Sequence, residues 1–136
     1  MGRHDAAGLV QLVEPVGAPK MKESIAAQRV IELDSVRTIA DTLAPRYVSE
    51  RPLALTQRYV DDVVLVTDAQ MVDAMRWLWT DCNQLVEPAG AAVMAAVLSG
   101  AVAVNSFVQP CALICGGNAA ADSVFNTYQL AVQTRP

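Results

Sequence analysis

The chain has 136 residues, of which 53% are hydrophobic and 18% are charged. This length suits one domain, and the apolar content excludes a disordered chain because it is enough to build a core. The formal net charge is -4 at pH 7, and the Lys and Arg residues are scattered, whereas a nucleic-acid surface needs them clustered. We therefore expect small molecules or proteins as ligands, and no nucleic acid.

The sequence carries no sign of export or membrane insertion. The N-terminal residues lack the positive region and long apolar stretch of a signal peptide. The most apolar run, residues 89–98, is about half as long as a membrane span. Cys82, Cys111 and Cys115 are an odd number without CxxC spacing. These features predict no membrane contact and a reducing, cytoplasmic compartment.

The first half of the chain predicts a strand followed by three short helices. Residues 9–13 form a β-type run, and residues 17–28 have apolar spacing typical of a helix. Residues 38–44 predict a short helix, which ends there because Pro45 disfavours helical geometry in the residue before it. A loop over residues 46–52 and a further short helix follow.

A buried strand and two packed helices are predicted next. The β-branched and Leu run at residues 63–66 is typical of a strand buried on both faces. Thr67 and Gln70 have capping-box spacing, and the helix that they begin carries an apolar stripe that predicts a core-facing surface. The stripe comprises Met71, Val72, Met75, Leu78, Trp79 and Cys82. Residues 89–98, small and apolar all round, predict an enclosed helix that ends at Ser99-Gly100.

Residues 111–115 predict a further buried strand, and residues 122–132 a closing helix. Three strands separated by helices predict an α/β fold with right-handed crossovers and a parallel sheet flanked by helices. In such sheets, ligands bind in the crevice beyond the carboxyl ends of the strands. The position after Cys115 is such a place.

Two segments are candidates for a ligand site. Gly116 and Gly117 allow close approach of the backbone to a ligand, although a purely structural turn is the commoner meaning of such a pair. Glu87 precedes a packed helix, where its carboxylate either faces a ligand or caps the helix. His4, the only histidine, lies in a terminal segment where we expect it to be inert.

A series of short blocks follows one another along the chain: Val13-Glu14-Pro15, Gly17-Ala18-Pro19, Leu33-Asp34-Ser35, Thr38-Ile39-Ala40-Asp41, residues 60–66, residues 86–91 and Cys115-Gly116-Gly117-Asn118. Taken in this order, the blocks resemble the C-terminal half of the threonine dehydratase and serine racemase family of fold-type II pyridoxal-phosphate (PLP) enzymes. The likeness runs from about residue 9 to residue 125.

The resemblance implies that residues 1–136 form the C-terminal portion of a PLP-binding large domain. Such enzymes are usually homodimers that act on L-threonine or L-serine. It further implies that Cys115 contacts the pyridine nitrogen, that Gly116 and Gly117 shape the pocket, and that Glu87 lies close to the ring. A neutral thiol leaves the ring a weaker electron sink than a carboxylate would, which suits elimination of a β-hydroxyl.

A divalent-cation site is implied only in part. Glu14 and the backbone carbonyl of Ala18 match two ligands of a site found in the racemase-like branch. The expected third ligand is replaced by Pro19-Lys20, so we expect no complete metal site. Thr42 replaces a common glycine, and its side chain either narrows the pocket or faces solvent.

The family's cofactor-holding lysine and its Gly-rich phosphate loop have no match here, since Lys20 and Lys22 lack the required context. We therefore expect a fragment that is silent without a missing N-terminal half. Uncovered sheet edges predict association, including a homo-oligomer. The alternatives are a non-catalytic binding or dimerisation module derived from the fold, and a related PLP racemase.

Overall fold

The computed structural model describes residues 8–117 and Asn126. The described elements are two strands, four α-helices and two 3₁₀ turns. In chain order they are β1 (Gln11–Pro15), α1 (Lys20–Ala27), a turn at Asp41–Leu43, α2 (Glu50–Tyr59), β2 (Asp62–Val66), α3 (Asp68–Cys82), α4 (Pro88–Leu98) and a turn at Val104–Ser106. The predicted α/β class is confirmed.

The two strands pair in parallel. Gln11 lies opposite Asp62, and Pro15 lies opposite Val66. The Val16 N–H extends the pairing by donating to the Val66 carbonyl at 2.8 Å. The carboxyl ends of both strands therefore share one edge of the sheet, and the segments that follow them emerge side by side.

The predicted strand at residues 111–115 is wrong. This segment carries no strand assignment, and Leu113 is 80% exposed. Ile114 alone of its large apolar side chains packs against the core. A short apolar run satisfies the pattern of a buried strand, but a strand also requires a neighbouring strand, and the described part of the chain provides none here. Of the predicted helix at residues 122–132 only Asn126, which is helical, belongs to the described residues.

The start of α3 follows the prediction closely. The Gln70 N–H donates to Thr67 Oγ1 at 3.2 Å, and the Thr67 N–H donates to Gln70 Oε1 at 2.8 Å, which completes the capping box. Met71, Met75 and Leu78 are buried as predicted. Trp79 and Cys82 are exposed, because the buried stripe stops at Leu78, before the last turn of the helix.

The predicted bounds of the earlier elements need correction. Strand β1 ends at Pro15 instead of residue 13, and α1 begins at Lys20 instead of residue 17. Gly17 stays outside the helix, where its backbone packs on Arg37: a Cβ there would lie 1.7 Å from the Arg37 carbonyl oxygen. The predicted helix at residues 38–44 is reduced to the 3₁₀ turn.

Helix α4 packs its smallest side chains against α3 and the sheet. The buried residues on this face are Gly90, Ala91, Ala92, Ala95 and Ala96. Because these side chains are short, the helix backbone comes close to its neighbours. The prediction of enclosure on all sides was too strong, since Leu98 is 48% exposed. Across residues 8–117 no helix combines the length and apolar character needed to cross a bilayer.

Candidate functional site

The Asp41–Leu43 turn lies beyond the carboxyl end of β2 and forms one side of the candidate site. Asp68 holds it in this place. Asp68 is the first residue of α3, and its carboxylate accepts from the Thr38 hydroxyl at 2.6 Å and from the Ile39 N–H at 3.2 Å. These two bonds fix the segment that leads into the turn. Thr42 is thereby brought to the edge of the sheet where ligands bind in folds of this class.

Glu87 immediately precedes α4 but does not cap it with its side chain. Pro88 opens the helix, and Glu87 makes no side-chain bond to the first turn. Instead Glu87 Oε1 accepts from the Thr42 hydroxyl at 3.1 Å. The helix-capping interpretation of this carboxylate is therefore not supported, and the half-buried side chain faces the Thr42 turn.

The Cys115-Gly116 backbone packs against Glu87. The Glu87 N–H donates to the Gly116 carbonyl at 3.1 Å. Gly116 has φ +69°, and a Cβ there would lie 2.6 Å from Glu87 Cγ. A Cβ at Gly90 would lie 2.0 Å from the Cys115 carbonyl oxygen. Gly90 is therefore required by a close backbone contact, and Gly116 by its positive φ and its contact with the Glu87 side chain.

The described residues leave the other side of the same backbone open. The Cys115 thiol is free and exposed. Among the described residues, a Cβ built at Gly117 would meet nothing nearer than the Leu85 carbonyl oxygen, at 3.9 Å. A thiol, a fixed carboxylate and an open glycine backbone thus lie together. A thiol and a carboxylate beside an exposed backbone can contact a flat heteroaromatic ring at its edge and on one face.

The structure brings together four residues predicted for the cofactor site: Cys115, Gly116, Gly117 and Glu87. Sequence reasoning missed the Thr42–Glu87 bond and the steric need for Gly90. The partners of each pair are distant in sequence, 45 residues apart for Thr42 and Glu87. The departure from glycine at Thr42 was the only signal of the first contact.

Glu14 and Ala18, the two predicted cation ligands, lie at the end of β1 and before α1. The Glu14 carboxylate is buried and accepts from the backbone N–H groups of Met21 and Lys22 at 3.0 to 3.1 Å. It also pairs with Lys20 Nζ at 3.2 Å. Ala18 is fully buried. The described residues contain no group of three His, Cys, Asp or Glu side chains placed to hold a metal ion.

Both lysines of the sequence are engaged elsewhere. Lys20 Nζ contacts Glu14 and the Leu43 carbonyl, the latter at 3.0 Å. Lys22 Nζ donates to the Val63 carbonyl at 2.6 Å, near the amino end of β2. Neither ammonium contacts the Cys115–Gly117 segment in these bonds.

A separate open cavity of about 540 Å³ lies at the amino end of β2, between α1 and α2. Its lining includes Lys22, Thr56 and Asp62. Its volume is large, but none of the residues predicted for the cofactor site lines it, and it lies at the end of the sheet away from Glu87. We therefore place the candidate site at the Cys115–Gly117 segment.

Comparison with known proteins gives an independent result. A family model described as "Pyridoxal-phosphate dependent enzyme" matches residues 4–116. The chain is 37% identical over 84 residues to a biosynthetic L-threonine dehydratase of Halalkalibacterium halodurans, which covers 62% of this chain and 20% of that protein. It is 38% identical over 86 residues to a serine racemase of Oryza sativa, which covers 63% of this chain and 25% of that protein.

A solved structure shares the fold over most of the chain. Maize serine racemase superposes with a TM-score of 0.78 at 29% identity, covering 93% of this chain and 41% of that one. The matched regions are thus a fifth to a quarter of the two curated relatives' lengths.

Proposed function

Because the chain belongs to the family of pyridoxal-phosphate dependent enzymes, we propose that it forms the part of a PLP site that holds the pyridine ring. The complete enzyme is a dehydratase, an ammonia-lyase acting on L-threonine or L-serine. The chain acts together with a segment outside this sequence that supplies the cofactor-holding lysine and the phosphate loop.

One observation carries this proposal. The Cys115–Gly117 backbone is held next to the Glu87 carboxylate by the Glu87–Gly116 hydrogen bond, while the thiol stays exposed. The close contact at Gly90 fixes the same backbone from the side of α4. The thiol and the carboxylate are therefore positioned before any ligand arrives, which lowers the entropic cost of binding.

When bound, PLP supplies an electron sink that stabilises the negative charge left on the substrate's α-carbon. In the proposed site, Cys115 would hold the ring nitrogen with its thiol, which, unlike a carboxylate, would not keep that nitrogen protonated. Glu87 would present its carboxylate to one face of the ring, and the Thr42 hydroxyl orients that carboxylate by donating to Oε1 at 3.1 Å. This arrangement favours loss of a β-hydroxyl over reactions that store a long-lived carbanion.

The contacts of the two lysines support the need for a second segment. Lys20 and Lys22 are the only lysines of the sequence, and both ammonium groups are bonded to groups away from Cys115. We infer that the assembled enzyme is a homo-oligomer in the cytoplasm. Exposed apolar side chains such as Leu113 are then covered by the second segment or a second copy.

A related racemase is the second candidate, because the maize structure that covers 93% of the chain is a serine racemase. Racemisation uses the same ring contacts, so the two candidates differ in groups that lie outside this chain. Product analysis with L-serine distinguishes them, since a dehydratase yields a keto acid and ammonia and a racemase yields the D-amino acid.

Alkylation of the three exposed cysteines tests the ring contact. The chain is mixed with the upstream part of a related enzyme, and iodoacetamide labelling of each cysteine is followed by mass spectrometry. Pyridoxine 5'-phosphate is the probe, since it keeps the ring and phosphate but has no aldehyde to react with lysine. We expect it to slow labelling of Cys115 and to leave Cys82 and Cys111 unchanged. Equal rates at all three sites would contradict the proposal.

A further inference from the structure

Lys20 carries a buried charge that is paired with Glu14. Its side chain is 10% exposed, and that of its partner Glu14 is 6% exposed. A buried ion pair costs several kcal/mol in lost hydration, and an apolar pair of similar volume is often as stable. The pair therefore needs an explanation beyond packing.

Glu14 has a structural role that does not depend on the ammonium. Both of its carboxylate oxygens accept from the Met21 N–H, at 3.0 and 3.1 Å, and Oε2 also accepts from the Lys22 N–H at 3.0 Å. These donors belong to the first turn of α1, which has no cap from Pro19. Glu14 thus caps α1 from β1, and Lys20 is free to serve a second contact.

The second contact of Lys20 reaches the candidate site. Lys20 Nζ donates to the Leu43 carbonyl at 3.0 Å. Leu43 ends the 3₁₀ turn, and its neighbour Thr42 donates to Glu87 Oε1 at 3.1 Å. A continuous path of hydrogen bonds and one peptide unit therefore links the buried ammonium to the carboxylate proposed to face the ring.

We propose that Lys20 is a positioning residue: its buried ammonium, held by Glu14, fixes the Asp41–Leu43 turn through the Leu43 carbonyl and so orients Thr42 towards Glu87. The inference rests on the proposed function of Glu87 in the ring site. The turn has only two backbone bonds of its own, from Leu43 N–H to Ala40 and from Ala44 N–H to Asp41. A charge-assisted bond to its last carbonyl therefore adds substantially to its rigidity.

Hydrogen exchange of the full chain, resolved by residue with NMR, tests this role. The variants are K20M and the double variant E14Q/K20M, which removes the whole pair and leaves no unpaired charge. K22M is the matched control, because its ammonium contacts Val63 and not the turn. We expect the Leu43 and Ala44 amides to exchange about tenfold faster in both Lys20 variants, the factor for losing one charged hydrogen bond. In the Lys20 variants, the β1–β2 amides should exchange at the rates of the unmodified chain. In K22M, the Leu43 and Ala44 amides should also exchange at those rates.

The double variant decides the result if K20M fails to fold. Unchanged exchange at Leu43 and Ala44 in E14Q/K20M would show that Lys20 only balances the charge of Glu14. Equal acceleration across the β1–β2 amides would show a general loss of stability, and either result would overturn the proposal.

A second readout separates this inference from the proposed function. With the upstream segment present, the affinity for pyridoxine 5'-phosphate should fall in E14Q/K20M and stay unchanged in K22M. If the unmodified assembly binds no pyridoxine 5'-phosphate, the proposed function fails, whereas the exchange result still decides whether Lys20 holds the turn. If the assembly binds and E14Q/K20M binds equally well, the positioning role fails alone.

Discussion

Replacing Gly90 by alanine separates helix propensity from the packing of the candidate site. Gly90 is the third residue of α4, where alanine is normally better than glycine by about 1 kcal/mol. Here the added Cβ would lie 2.0 Å from the Cys115 carbonyl oxygen and 2.8 Å from its carbon. Cβ atoms in proteins essentially never lie closer than 3.0 Å to such an atom, so the Cys115 backbone must move away from α4 by about 1 Å.

That withdrawal has a cost that exceeds the gain in propensity. Overpacking of this kind costs about 1–3 kcal/mol, and loss of the Glu87–Gly116 hydrogen bond adds about 1 kcal/mol. We expect G90A to lower the free energy of unfolding by about 1–3 kcal/mol after the propensity gain is included. Urea unfolding followed by circular dichroism measures this difference. G8A is the control, because a Cβ at Gly8 meets nothing within 4 Å. A G90A chain more stable than the unmodified chain would refute the steric reasoning.

Two further predictions concern the cap of α3 and metal ions. T67A should lower the free energy of unfolding by about 1 kcal/mol, since it removes the acceptor for the Gln70 N–H. T80A, at an exposed position of the same helix, should change it by less than about 0.5 kcal/mol; equal losses in the two variants would contradict the capping role. The Glu14 carboxylate already accepts hydrogen bonds from Lys20, Met21 and Lys22. We therefore expect that neither EDTA nor added Mg²⁺ shifts the unfolding temperature. A higher unfolding temperature with Mg²⁺ would show that a cation displaces the Lys20 ammonium.

Local chemistry made several elements predictable. The start of α3 depends on two side chains three residues apart, Thr67 and Gln70, and the structure shows both of their bonds. Strand β2 depends on a short apolar run that is buried in place. In each case the residues that determine the element lie within one turn or one strand, so a short stretch of sequence is enough to predict it.

Non-local contacts account for what the sequence did not predict. The segment 111–115 has the pattern of a strand but no neighbouring strand among the described residues. Thr42 meets Glu87 through a turn that distant residues, among them Asp68, hold at the end of β2. The resemblance to PLP enzymes located Glu87 and Cys115, but it did not indicate that Lys20 would bond to Glu14 and Leu43.

We propose above all that this chain supplies the ring side of a PLP site and relies on another segment for the lysine. The most direct measurement is the visible absorption of the chain with added PLP, recorded alone and after mixing with the upstream part of a related enzyme. We predict that the band of lysine-bound PLP, and consumption of L-threonine or L-serine, arise only in the mixture. If the chain alone gave this band and consumed the amino acid, Lys20 or Lys22 would have to hold the cofactor. That result would contradict the proposal that another segment supplies the lysine.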